Sequence, residues 1–283
     1  GLTTSKDGST AINGGSVTTS GTQQYNDAVT LGTNTILDAG SAAITFADTL
    51  DGPYRLDANT TGTTTFGGAV GAKTALTHLE TNAGGTTAIN GGSVTTASDE
   101  SQIYNDAVTI GKDTVLDAAS GAITFASTLD GAFALTANTS GTTTFGGAVG
   151  GKTALASLVT DKDGSTAING GSVKTSGTQQ YNDPVTLGAN TAFTGSGVAF
   201  GSTLQGSAKS LSIDAGDAGV SFEGDVGTAA QPLAAIDVES VGLVTIEADV
   251  FSTGPVTIRS SGDGITMTDG AVIDAGAGTI LLA

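Results

Sequence analysis

TAINGGSVTT spans residues 10–19, returns unchanged at residues 87–96, and returns once more as TAINGGSVKT at residues 166–175. A catalytic constellation needs to be written once. A segment written three times points to an architecture that is itself periodic. The likeness spreads outward from this core. Tyr25, Tyr104 and Tyr181 each open a YND(A/P)VT(L/I)G segment, and Phe46, Phe125 and Phe200 each lead into (D/S)TL(D/Q)G. Phe66 and Phe145 open FGGAVG(A/G)KTAL, and Phe222 opens the drifted FEGDVGTAAQPL. From Tyr25 to Tyr104 to Tyr181 the period is about 78 residues. The internal units are therefore about 10–86, 87–165 and 166–242, with a degenerate partial unit over 243–283.

Inside each unit, apolar anchors recur in pairs four or five residues apart. The first unit gives Ile12/Val17, Tyr25/Val29, Phe46/Leu50 and Phe66/Val70. Four anchors per unit make an average step of ~20 residues, the length of one coil of a parallel β-helix. SVTTS, AVTLG, AAITFA, TTTFGG and LVTIEA are short and rich in β-branched residues. They are bounded by Gly, Asn or Asp, and several alternate apolar with polar residues, as half-buried strands do. Asn13-Gly14-Gly15, Asp51-Gly52 and Gly67-Gly68 supply the sharp bends. KTALTHLE (73–80) and QPLAAIDV (231–238) carry a weak helical pattern and are read as a loop followed by a strand.

The expectation is an all-β parallel β-helix: one continuous solenoid over residues 1–283, about 14 coils of ~20 residues, and at ~4.8 Å per coil a rod of ~65–70 Å. Tandem immunoglobulin-like sandwiches are the alternative. They give no reason for so short an internal step, and the buried Trp of antibody domains is missing, since the chain has no Trp. In the solenoid, Tyr25, Phe46 and Phe66 are expected to stack in one interior ladder, with Val17, Val29, Ile36 and Ile44 lining the same core. Truncating such a ring, as in Phe125→Ala, is expected to cost ~3–5 kcal/mol. Asp27, Asp106 and Asp183 are expected to recur once per four coils, roughly 19 Å apart. That spacing exceeds the Debye length of ~8 Å and keeps like charges from facing one another.

Composition narrows function. Nine basic against 27 acidic residues give a net charge of −18, which repels phosphate backbones and anionic membranes. No nucleic-acid partner and no membrane insertion are expected, because no apolar run approaches the ~20 residues of a spanning helix. Apolar residues at 38% argue against disorder, and 44 Gly with 4 Pro and no Gly-X-Y period argue against collagen. Cys is absent, so no disulfide staples the fold. Residues 1–10 (GLTTSKDGST) lack the basic and apolar regions of a signal peptide. The chain closes on TILLA, an apolar edge without a cap, as expected of a slice of a longer stack or of a piece that stacks end to end.

Candidate chemistry is sparse. His78 is the single histidine, its counterpart in the next copy is Ser157, and it is read as solvated surface. Arg55 and Arg259, the two arginines, lie about ten coils apart. No catalytic and no cofactor-binding residue is assigned, and no enzyme is expected. Calcium is a further option: DKDGS (161–165) opens like a calcium loop, but Ser165 replaces the third acid. Asp214 with Asp217, and Asp263 with Asp269, are candidates to share an ion, against the plainer reading of solvated turn carboxylates. TTGTTTFGG (60–68) and TSGTTTFGG (139–147) are dense enough in Thr to suggest an ice- or glycan-binding face, although Thr is also simply a good strand former.

TTSGTQQYNDAVTLG (18–32), ITFADTLDG (44–52) and TTTFGGAVGAKTALTHL (63–79) resemble repeats of filamentous-haemagglutinin-like, β-strand-repeat bacterial surface adhesins and exoproteins. The resemblance covers residues 1 to about 230 well and the remainder loosely. It implies a right-handed β-helix, export to the cell surface, and a structural role in adhesion or biofilm as a shaft or fibre subunit. Its partners would be neighbouring repeats or identical subunits end to end, and host or bacterial glycans. The other reading is a ligand-binding face for glycan, calcium or ice on the same scaffold. No catalytic residue carries over.

Overall fold

A computed structural model describes residues 1–97 and 99–283. Among them there is no helix; the regular elements are all strands, most of them five residues or shorter. The chain divides into two compact units, Gly1–Thr144 and Phe145–Ala283.

In the first unit the chain winds in coils of three strands. Leu2–Thr3, Ser9–Ile12 and Ser16–Thr18 make one coil, and Gln23–Tyr25, Ala28–Leu31 and Thr35–Asp38 make the next. Each strand pairs in parallel with its counterpart one coil on: Ser9 with Ala28, Ser16 with Ile36, Gln23 with Ile44. One face runs seven strands deep. The two segments with a helical flavour are loops leading into the strands His78–Thr81 and Ala235–Ser240. The second unit is built the same way. One stack runs from Ser172–Lys174 through Thr191–Phe200, Ser210–Phe222, Ala235–Ser240 and Val256–Ser260 to Ile280–Leu282, all parallel.

TAINGGSVTT is a strand, a corner and a strand. Ser9–Ile12 ends at Asn13, two glycines turn the chain, and Ser16–Thr18 leaves along the next face. The second glycine takes φ of +76° at Gly15, +80° at Gly92 and +73° at Gly171, a left-handed conformation that a Cβ opposes. The first glycine is required for a different reason in the second and third copies. A Cβ on Gly91 would sit 1.9 Å from the carbonyl oxygen of Gly68 on the preceding coil. The corner thus lies in backbone contact with the coil beneath it.

The aromatic residues stack as the spacing predicts. Ring centroids are 5.1 Å apart for Tyr25–Phe46 and 5.7 Å for Phe46–Phe66, with nearly parallel planes at 11° and 4°. Tyr181, Phe200 and Phe222 form the matching ladder in the second unit at 5.3 and 5.7 Å, with Phe193 set edge-on against Tyr181 and Phe200. Ile44 and Val29 are buried, but Val17 is only half-buried, and Ile36 is 48% exposed. Ile36 lies between Thr35 and Leu37 in Thr35–Asp38. Both neighbours face inward, so strand alternation turns Ile36 out.

The long repeat is not a whole number of coils. Up the column from Tyr25 the partners are Phe46, Phe66, Ile89 and Ile110. Tyr104, the copy of Tyr25, falls between Ile89 and Ile110 and nearer the latter. One repeat is thus three coils and about two-thirds of a fourth. Gln102–Tyr104 accordingly stacks on His78–Thr81, whose column leads down through Ala58 to Leu37. This corrects the four-coil expectation: Asp106 does not return above Asp27 but one face round. The physical reason is coil length. Coils are as short as the path from Ser9 to Ala28 and as long as that from Ser210 to Ala235. Their average of about 21 residues leaves each long unit short of four turns.

Candidate functional site

Two polar assemblies stand out, one facing in and one facing out. The inward one belongs to the TQQYND segment. Alternation from Tyr25 places Gln23 and Asp27 on the same side as the ring. Gln23 is fully buried; its side-chain amide donates to the carbonyls of Val17 and Asp38, and its Oε1 accepts from the Tyr25 hydroxyl at 3.1 Å. Gln102 with Tyr104 and Gln179 with Tyr181 repeat the arrangement. These glutamines tie the interior side of one coil to the backbone of others, so their buried polar atoms are satisfied. Burial pushes the Tyr25 hydroxyl up to about 12, and moves Tyr104 and Tyr181 in the same direction.

Asp27, Asp106 and Asp183 are also buried. Each carboxylate is bracketed by two threonine hydroxyls from neighbouring coils. Asp27 accepts from Thr4 at 2.5 Å and Thr10 at 2.8 Å, Asp106 from Thr87 at 2.7 Å and Thr81 at 3.3 Å, and Asp183 from Thr160 at 2.7 Å and Thr166 at 2.8 Å. Three copies of one bracket differ in charge preference. The hydrogen bond from Thr4 holds Asp27 below the usual carboxylate range against the opposing effect of burial. For Asp106 and Asp183 desolvation dominates over the hydroxyls, and the carboxyl is raised. The signs of the stability effects follow. A raised group costs stability when ionised at neutral pH, and that cost is relieved as pH falls through its native pKa. A lowered group supports the fold above its unfolded pKa of about 3.9 and loses that support as pH falls further. Asp106→Asn is therefore expected to raise the melting temperature near neutral pH, and Asp27→Asn to lower it. Both differences should shrink toward about pH 3. Thermal melts across that range check this, and equal signs for the two variants would refute it.

The outward assembly gathers round His78. Arg55 and Asp57 lie on Arg55–Asn59, and His78 and Glu80 on His78–Thr81, in register as Arg55 opposite His78 and Asp57 opposite Glu80. Arg55 Nε donates to Asp57 at 2.6 Å and its Nη2 to Glu80 at 3.0 Å. Glu80 also accepts from the Asn105 amide at 3.1 Å. Glu100 comes from the next coil, with Oε2 3.6 Å from His78 Nδ1. The second copy writes ASDESQIYND where the first writes SGTQQYND, two residues more, and Glu100 lies in that longer stretch. This loop helps explain why His78 is only 5% exposed, contrary to its reading as solvated surface. Its Nε2 is buried without a hydrogen-bond partner, 3.5 Å from Glu80 Oε2.

The remaining sequence candidates do not converge. Among the described residues, Asp57, His78 and Glu80 form the only group of three or more metal-type ligands, so Asp214 with Asp217, Asp263 with Asp269, and the 161–165 segment build no comparable set. Arg259 pairs with Glu239 at 3.3 Å and Asp237 at 3.5 Å on an exposed face, where such contacts contribute little. In the Thr-dense stretches Thr60, Thr64, Thr139 and Thr143 point inward and are buried, so these residues are not part of an outer Thr lattice. No family model, no curated protein and no solved structure matches the chain.

Proposed function

We propose that the chain is a non-catalytic structural module, a shaft segment or fibre subunit of an extracellular bacterial surface protein that extends by end-to-end β-stacking. The supporting observation is the parallel pairing of coil on coil, as from Ser172–Lys174 through Thr191–Phe200, Ser210–Phe222, Ala235–Ser240 and Val256–Ser260 to Ile280–Leu282. Such a stack lengthens by adding a further parallel coil, and an identical subunit can present one. The surface location and the role in adhesion or biofilm rest on the resemblance of the TTSGTQQYNDAVTLG-type runs to adhesin repeats. A glycan-binding face is the other use of such a scaffold, and a glycan-array signal would favour it.

Sedimentation velocity over a concentration series tests the stacking. The chain is expected to associate as concentration rises. Leu281→Lys, which puts a charge on the strand Ile280–Leu282, is expected to weaken association by at least about tenfold, or ~1.4 kcal/mol. A chain that stays monomeric at every concentration would remove the fibre-subunit reading.

A further inference from the structure

The cluster round His78 is written into one place in the repeat and erased from the next. Copies one and two are nearly identical through TLDGxxxLxAN and FGGAVGxKTALxxL. Yet Arg55 becomes Ala134, Asp57 becomes Thr136, His78 becomes Ser157 and Glu80 becomes Val159, and the stretch carrying Glu100 is two residues shorter in the first and third copies. The copies also differ at Pro53/Ala132, Tyr54/Phe133, Ala72/Gly151 and Thr77/Ala156, but the charged residues and the histidine among the differences come together in space. The second copy folds into the same strands without the four side chains Arg55, Asp57, His78 and Glu80, so folding of the coil does not require them.

We propose that Asp57, His78 and Glu80 form a binding site for a divalent transition-metal ion, of which zinc is the type. Three features of the site argue for it. First, one ligand atom from each residue lies within 4.8 Å of the others. Second, His78 Nε2 is buried, unpartnered and faces Glu80 Oε2 at 3.5 Å. That is too long for a hydrogen bond. It is close to the ~3.4 Å edge of a tetrahedron whose ligand bonds are ~2.1 Å, the usual zinc–nitrogen and zinc–oxygen length. Third, three carboxylates, Asp57, Glu80 and Glu100, surround a single guanidinium, so the cluster has an excess of negative charge. One imidazole with two carboxylates suits a borderline ion better than calcium or magnesium, which prefer oxygen alone.

Arg55 holds both carboxylates in this structure and is the competitor. Its side chain is 40% exposed, so it can leave toward solvent when an ion takes its place. Asp57 belongs to one coil and His78 with Glu80 to the next, so the ion would clip two coils together. Glu100 Oε2 lies 3.6 Å from Nδ1, so a carboxylate flanks the ring nitrogen that would not bind the ion.

The test uses the whole chain without an affinity tag, stripped with chelator and titrated with Zn²⁺ by calorimetry. The imidazole nitrogens are followed by NMR; the chain has one histidine, so the signal assigns itself. The expected result is one ion per chain with the shift centred on Nε2. His78→Ser and Glu80→Val, which install the residues of the second copy, are expected to weaken binding at least tenfold. Arg55→Ala is expected to tighten it several-fold. Melts without metal confirm that each variant is folded. Absent binding, binding unchanged in His78→Ser, a shift centred on Nδ1, or weaker binding in Arg55→Ala would each overturn the proposal.

Discussion

Phe46→Ala is expected to destabilise the first unit by ~3–5 kcal/mol, the cost of emptying a large aromatic site in a packed core. Phe46 is 1% exposed and has a ring on each side, Tyr25 at 5.1 Å and Phe66 at 5.7 Å, so its loss breaks two stacking contacts at once. The cavity would open on residues held by their own strand pairing, Gln23–Tyr25 below and Thr63–Phe66 above, which limits collapse. Coils contact only their neighbours, so the damage is local. Hydrogen exchange should rise in the strands Gln23–Tyr25, Ile44–Phe46 and Thr63–Phe66, with little change some coils away. Phe133→Ala is the matched control: Phe133 is 38% exposed, and its loss should cost only about 1–2 kcal/mol, clearly less than that of Phe46. A uniform rise in exchange across the unit would show that the coils do not behave as separable neighbours.

Gly91→Ala is the second large effect, and its control is in the same chain. The added methyl would lie 1.9 Å from the Gly68 oxygen and 2.1 Å from its carbonyl carbon. Both are backbone atoms of a paired coil, so neither can turn aside, and relief requires the coils to separate. The expected cost is about 3 kcal/mol or more, the upper end of overpacking effects. Gly14 occupies the same place in the first TAINGGSVTT, but a Cβ there meets nothing within 4 Å. Gly14→Ala should therefore be near neutral. Chemical denaturation of both variants decides between contact and backbone conformation as the reason for glycine. Equal losses would mean that the corner itself, and not the coil beneath, demands it.

Much of the fold is legible in the residues. Anchor spacing gives coils of about the right length, β-branched runs give strands, and glycine pairs give corners. What misleads is rounding. The mean anchor step divides the long unit almost evenly into four, whereas coils such as Thr63 to Thr86 and Leu79 to Gln102 run longer than that mean. The fraction left over decides which face each copy occupies, and no local pattern reveals it. Asp27 is hidden by a related difficulty. Its alternation with Tyr25 signals an inward side chain, but the hydroxyls that satisfy it come from Thr4 and Thr10, one bend and one coil away. His78 is read as surface because its counterpart is Ser157, and non-repetition looks like drift. Glu100, from the longer stretch on the next coil, comes within 3.6 Å of the ring, a contact that only the winding brings about.

The incomplete fourth coil also gives copy number a meaning beyond length. Tyr104 falls about two-thirds of the way round from the column of Tyr25. Adding or deleting one copy of the long unit therefore acts on a stack of this kind like a partial turn of a screw. Whatever follows is advanced along the axis and also swung by about a third of a revolution from its former heading. Gain or loss of a copy thus works as an angular setting. Three such events are needed before an attached domain points the same way again.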